Sequence, residues 1–280
     1  MMSRPRVCAV SYLNTAPLVW GFTHGPQKGL YDLRFEVPAV CADALRMGDS
    51  DVGLVPVIEL ANQPDLLVMP GVSIASRERV RSVLLFSRRP MEAIESFAAD
   101  TSSRTSVALT QILLARNYGI RPRVYPHAPR LNEMLELADA GLIIGDPALR
   151  LDSSQADWKG QPLFVYDLGN EWWKLTGLPM VFAVWAVNSL SGTSAMSQMF
   201  QDSASYGCKR IDEIVDFESP RRKLDPSLVR RYLTENTKFD LGSEEQRSLM
   251  RFLAEASDLG LVDWRSEVTY LDEPAVAETE

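Results

Sequence analysis

Apolar residues recur along this chain in short blocks whose spacing alternates between two periods. Arg6–Val10 is a compact apolar run and predicts a strand, and Asn14–Phe22 predicts a short helix opened by Asn14 and Thr15. Arg34–Val37 predicts a second strand and Val40–Met47 a helix closing near Gly48. Asp51–Val55 predicts a third strand, its unbroken apolar pattern fitting burial on both faces. Pro56 suits the first turn of another helix, where its missing N–H costs nothing. A β-α-β-α-β opening builds a mostly parallel sheet covered by helices.

Leu66–Ala75 and Val80–Phe86 predict further strands, and Arg88, Arg89 and Pro90 break the pattern. A second alternating unit follows: a short helix over Met91–Phe97, a longer one over Arg104–Tyr118, a strand at Arg123–Tyr125, a helix over Leu131–Asp139 and a strand at Gly141–Gly145. Leu163–Asp167 and Met180–Val187 read as extended. From Ser189 the pattern is helical, and the last helix begins at Ser243 with Gln246 placed for a capping box. The acidic end of the chain has no pattern and predicts a disordered tail. Two α/β units joined by extended crossings predict a two-lobed clamshell: residues 1–87 and 188–271 form lobe 1, 88–187 lobe 2 and 272–280 the tail. Ligand would lie between the lobes, at carboxyl ends of strands and amino ends of helices. A single continuous α/β domain is the competing architecture.

Composition narrows what such a cleft could serve. With 280 residues the chain has room for two lobes, and 46% hydrophobic with 24% charged residues excludes disordered, collagen-like and coiled-coil chains. Lys plus Arg number 29 against 37 Asp plus Glu, a net charge of −8, which argues against nucleic acid and anionic membranes as partners. A small anionic ligand stays open, because screening leaves local donors to decide what a cleft binds. Cys8, Cys41 and Cys208 form no C-x-x-C pair and His24 and His127 are the only histidines, so neither a disulfide framework nor a metal site is expected. Dinucleotide and P-loop glycine motifs are absent, as is H-E-x-x-H, so no cofactor is expected. No apolar run reaches the roughly 20 residues of a membrane span, nor does Val7–Val10 make a signal-peptide core, so the cytoplasm is the expected compartment.

Three runs carry candidate chemistry. In Ser11–Leu18 a strand gives way to a helix start, where polar side chains face a cleft; Asn14 either caps that helix or reaches a ligand. In Asp100–Val107, four hydroxyls and Arg104 precede an apolar helical pattern, more than one cap needs, and favour an anion site. Ile143–Pro147 ends a buried strand in a polar turn, where Asp146 either caps a helix beginning at Pro147 or faces the cleft, and the Gly145 backbone could touch ligand. The tryptophans, Trp172, Trp173 and Trp185 among them, suit core or cleft wall rather than base stacking, and Arg221-Arg222-Lys223 reads as a solvated face.

These runs resemble the chorismate dehydratase family of the futalosine route to menaquinone. The likeness is carried by Ala9–Thr15, Asp51–Pro56, Val80–Val83, Asp100–Ser106 and Ile144–Ala148, with Leu175–Pro179 and Tyr232–Asn236 further on, and spans residues 6–262 in order. It implies a type 2 periplasmic-binding-protein-like fold used as a lyase: chorismate becomes 3-[(1-carboxyvinyl)oxy]benzoate and water, with no cofactor. It also implies Asn14 beside the reacting hydroxyl. A related enzyme, the 1,4-dihydroxy-6-naphthoate synthase, carries a Pro-Asn-Asp type loop after its first strand where this chain has Leu13-Asn14-Thr15. A non-catalytic small-carboxylate-binding or sensor protein on the same fold is the rival class. The candidate set is then Asn14 and Ser82 as catalytic residues, and Ser11, Thr105, Ser106, Gly145 and Asp146 as substrate-binding residues, with no metal ligands.

Overall fold

The computed structural model describes residues 4–188, 194–264 and 267–271. In chain order they form β1 (Arg6–Val10), α1 (Ala16–His24), β2 (Asp32–Glu36), α2 (Pro38–Arg46), β3 (Val52–Pro56), α3 (Glu59–Asn62), β4 (Leu66–Ser76) and β5 (Val83–Ser87). Then come β6 (Ser96–Asp100), α4 (Thr105–Tyr118), β7 (Arg123–His127), α5 (Leu131–Leu137), β8 (Ala140–Ile144), α6 (Gly145–Arg150), β9 (Asp157–Trp158), β10 (Gln161–Pro162), β11 (Phe164–Asp167) and α7 (Leu168–Thr176). The chain closes with β12 (Met180–Asn188), α8 (Ser194–Cys208), α9 (Ile211–Arg222), α10 (Pro226–Arg231) and α11 (Ser243–Asp258).

Two five-stranded sheets organise the molecule. The first has the order β2-β1-β3-β12-β4 and the second β11-β5-β8-β6-β7. In the first, β1 runs parallel to β2 and β3, while β12 inserts antiparallel between β3 and β4. In the second, β6 is parallel to β7 and β8, and β5 is antiparallel to β8 and β11. The strands β3, β5 and β8 are buried at every position, which explains why their sequences are continuous apolar runs. One core cluster bridges the two sheets, joining Val55 and Val184 of the first to Leu85 and Leu142 of the second. Trp172 of α7 and Phe252 of α11 belong to it, edge to face at 6.1 Å, and the Trp172 indole donates to Ser248 Oγ at 3.0 Å.

The structure moves several expected boundaries. Residues 83–87 pair within the second sheet and 180–188 within the first, so the chain passes between sheets at 77–82 and 177–179 rather than near Ser87 and Val187. Apolar runs mark strands but do not say which sheet they join. The helix expected over Met91–Phe97 is a single 3-10 turn at Met91–Ala93 followed by β6, because Ser96–Asp100 finds partners on both sides. Pro56 closes β3 instead of opening a helix, and α3 starts only at Glu59. The helix α7 had no expected counterpart. The last helix starts where expected, but Glu245, not Gln246, reaches back, accepting from the Gly242 N–H at 3.1 Å. Cys8 and Cys41, 33 positions apart, bring their thiols to 3.4 Å inside the first lobe. The expected tail, 272–280, lies outside the described residues.

Candidate active site

The strand β1 ends at Val10, and Leu13–Thr15 form one 3-10 turn before α1. That tight turn sets Asn14 at the mouth between the sheets. From the opposite side comes the amino end of α4, carrying Ser103, Thr105 and Ser106. The crossing into β5 supplies Ser82, and the turn from β8 into α6 supplies Gly145. These six line one cavity of about 60 Å³, tight enough that the lobes must part to admit a small-molecule guest, together with the apolar walls Val10, Pro38, Pro56, Ile74, Ile144 and Phe182. None of the residues lining it is charged.

The hydroxyls around this cavity have their acceptor roles fixed by the fold. Ser103 Oγ accepts the Ser106 N–H at 3.2 Å, so Ser103 caps α4. Thr105 Oγ1 accepts from the Ile58 N–H at 3.3 Å, and Ser82 Oγ accepts from the Tyr232 hydroxyl at 2.8 Å. A hydroxyl has one hydrogen to give, and none of these bonds uses it. Their O–H groups are left for a guest, at the positive end of a helix of 14 residues. Asn14 Oδ1 is buried with no partner and supplies an acceptor beside them.

Two tyrosines frame the cavity, and neither was singled out from the sequence. The Tyr12 hydroxyl lies 3.0 Å from Ser102 Oγ, which itself donates to Asp100 Oδ1 at 2.7 Å; Tyr12 is therefore the donor in a short chain ending on a buried carboxylate. Burial raises the Asp100 carboxyl above its ordinary value. Burial likewise pushes Tyr12 and Tyr232 up to about 12, so both stay protonated donors at neutral pH. Tyr232 begins a π-helical turn, Tyr232–Asn236, directly after α10, and such turns often re-aim a side chain at a functional site. Tyr12 stood inside the Ser11–Thr15 run and Tyr232 inside the run at 232–236, so the runs held the signal while residue type alone did not.

Ser82 is delivered by unusual backbone. Glu78 and Arg81 adopt φ values of 62° and 66°, a region costly for side-chain-bearing residues. Asp167, the cap of α7, holds this crossing by accepting from the Val80 and Arg81 N–H groups at 3.0 and 2.7 Å. Gly145 has φ +64°, and a Cβ there would stand 2.5 Å from the Tyr12 ring. Its N–H is held by the Ser82 carbonyl at 2.8 Å, so Gly145 serves by close approach rather than as a donor to ligand.

Ser11 and Asp146 do not line this cavity. The Asp146 carboxylate accepts the Leu13 N–H at 2.9 Å and pairs with Arg222, whose guanidinium also reaches the Ser11 carbonyl at 3.0 Å and Glu218 at 2.7 Å. Asp146 therefore ties the second lobe to the β1–α1 turn, and it caps Leu13 from across the cleft rather than its own helix. Arg222, expected on a solvated face, is drawn inward by this pair. Arg104 also turns from the cavity, bonding Asp43 of α2 at 2.8 Å and Glu59 of α3 at 3.1 Å. Among the described residues no group of three or more His, Cys, Asp and Glu could hold a metal ion, and no helix is long and apolar enough to cross a membrane.

Comparison with known proteins adds to this geometry. A family model described as menaquinone biosynthesis matches residues 5–258. A chorismate dehydratase of Thermus thermophilus is 31% identical over 271 residues, covering 92% of this chain and 96% of that protein. A chorismate dehydratase of Campylobacter jejuni is 27% identical over 256 residues, covering 90% and 97%. In fold the chain is similar to the periplasmic aliphatic sulphonate binding protein of Escherichia coli, with a TM-score of 0.64 at 12% identity over 99% of this chain and 94% of that one.

Proposed function

The chain belongs to the menaquinone-biosynthesis family, and from that premise we propose that it is a chorismate dehydratase working without a metal or cofactor. The observation that carries the reading is the cavity itself: neutral donors with free hydrogens meet at a helix amino end, and no side chain lining it is a base.

Chorismate is a dianion, with a ring carboxylate and an enolpyruvyl carboxylate. Loss of the C3 proton and the C4 hydroxyl as water makes the ring aromatic, so the step is downhill and its difficulty lies in the barrier. Deprotonation at C3 drives charge through the diene into the ring carboxylate. Ser106, Thr105 and Ser82 hold that carboxylate by their O–H groups, and the α4 dipole stabilises charge as it grows, which lowers the barrier rather than only tightening binding. The Asn14 amide meets the C4 hydroxyl and orients it for departure. Serine, threonine and asparagine cannot accept the C3 proton at neutral pH. The enolpyruvyl carboxylate takes it, and the proton leaves with the departing hydroxide as water. Apolar walls exclude competing solvent, and positioning of this kind is worth about 7–11 kcal/mol.

The test is direct. Purified protein, exhaustively chelated, is incubated with chorismate, and the aromatic product is followed by absorbance and mass spectrometry. Turnover is expected. Chorismate that binds but returns unchanged would assign the chain to the non-catalytic class. Activity lost on chelation and restored by one metal would overturn the cofactor-free reading.

A further inference from the structure

A second cavity, of about 360 Å³, lies on the other side of the β1–α1 turn and takes no part in the chemistry above. It is walled by α1, α9 and the edge strand β2, and Val10 and Tyr12 are shared with the first cavity. Its volume falls in the range of small-molecule sites. Its lining is aromatic: Trp20 and His24 stack at 3.8 Å, and Phe217 meets His24 edge-on at 4.8 Å. Burial and the nearby Lys28 lower the His24 pKa, so the ring stacks as a neutral aromatic. Phe35 and Phe217, 47% and 39% exposed, are among the few large apolar side chains left to solvent, and both face this cavity.

Polar groups are left unfilled here too. Trp20 Nε1 and Thr15 Oγ1 are buried with no partner behind the wall, in residues 3% and 1% exposed, so a guest meets them only where the wall gives way. Arg221 lies over Phe217 at 4.9 Å and makes no ion pair among the described residues. The one carboxylate lining the cavity, Glu218, is already engaged by Arg222. Flat aromatic walls and one uncompensated guanidinium fit a planar ring bearing a carboxylate.

We propose that this cavity is a second binding site, for a small planar aromatic carboxylate, and that its occupant is coupled to cleft closure. The coupling is physical. Tyr12 reaches Ser102 across the cleft, and Arg222 holds Asp146 across it; both side chains are walls of the second cavity. A ring seated against them biases the closed arrangement, and closure in turn alters the second site.

The probe is cinnamate, titrated into nitrogen-15-labelled protein while the indole N–H signals are recorded, with that of Trp20 identified by its loss in Trp20→Phe. A saturable shift of the Trp20 signal is expected, and Arg221→Ala should need about tenfold more probe for half-saturation. Without probe, Arg221→Ala should turn over chorismate as the wild type does. With probe at the level that half-saturates the wild type, KM for chorismate should change in the wild type and far less in Arg221→Ala. A silent Trp20 signal, unchanged affinity in Arg221→Ala, or equal competition with chorismate in both proteins would overturn the proposal. The spectral arm needs no turnover, so failure of the dehydratase reading leaves it a separate result.

Discussion

At the amino end of α4 one serine caps the helix and the next but two is free. Ser103 accepts the Ser106 N–H, whereas the Ser106 hydroxyl has no structural task. The two positions should therefore fail differently. Ser103→Ala should lower stability by about 1 kcal/mol in thermal melts, the ordinary cost of a lost cap. Ser106→Ala should melt near the wild-type temperature but lose roughly 1.5–3 kcal/mol of carboxylate stabilisation, read as a fall in kcat/KM. Ser106→Asp should abolish turnover, because it opposes the substrate's charge. Near-normal turnover in that variant would remove Ser106 from the anion site. Tyr232 gives an alkaline test. Its folded pKa, about 12, lies above the ordinary 10, so its contribution to stability is whole below pH 10 and is lost as pH rises toward 12. Tyr232→Phe should flatten the alkaline loss of stability by roughly 3 kcal/mol, measured by denaturant unfolding between those pH values.

The helices α1 and α8 approach too closely for ordinary side chains. A Cβ on Gly21 would stand 2.7 Å from Ser203 Cα, and one on Gly207 would strike the Pro17 carbonyl. Gly207→Ala should cost about 1–3 kcal/mol as an overpacking defect, visible as a lower melting temperature. Such a contact could not be read from Gly207 alone, since its partner lies 190 positions away. Legibility followed the same rule throughout. Elements with a strong local signal were readable: β1 is an apolar run, and α4 pairs hydroxyls with apolar helical spacing. The strand β6 was not, because Ser96–Asp100 becomes a strand only through β7 and β8. Of the candidate residues, Asn14, Thr105, Ser106 and Gly145 stand in runs at element ends and Ser82 in a run that carries the family resemblance, and the cavity gathers all five. Ser11 and Asp146 stand in the same runs but lie outside the cavity: Asp146 is drawn to Arg222, far along the chain, which also takes the Ser11 carbonyl.

Across the whole molecule the apolar cluster that joins the two sheets is supplemented at the cleft by polar contacts: Arg104 with Asp43 and Glu59, Asp146 with Leu13 and Arg222, and the Ala39 N–H with the Ser102 carbonyl at 3.2 Å. Breaking one buried pair should both destabilise and open the molecule. Asp146→Ala leaves the buried Leu13 N–H without its acceptor and Arg222 with Glu218 as its remaining carboxylate, at a cost of about 1–3 kcal/mol. Small-angle scattering should show a larger radius for the free variant, shrinking again with substrate; an unchanged radius would mean the remaining contacts suffice. The position of β12 carries a different kind of consequence. It occupies an interior place in the first sheet, yet it is made only after the second sheet is complete in sequence. On a ribosome, β1 to β4 emerge first and must wait, with the flank of β3 and β4 unfilled, while some hundred residues pass. The second lobe is one uninterrupted stretch and can fold as it appears. Assembly of the first therefore closes late, through contacts distant in sequence, which is slow and leaves strand edges exposed to other chains.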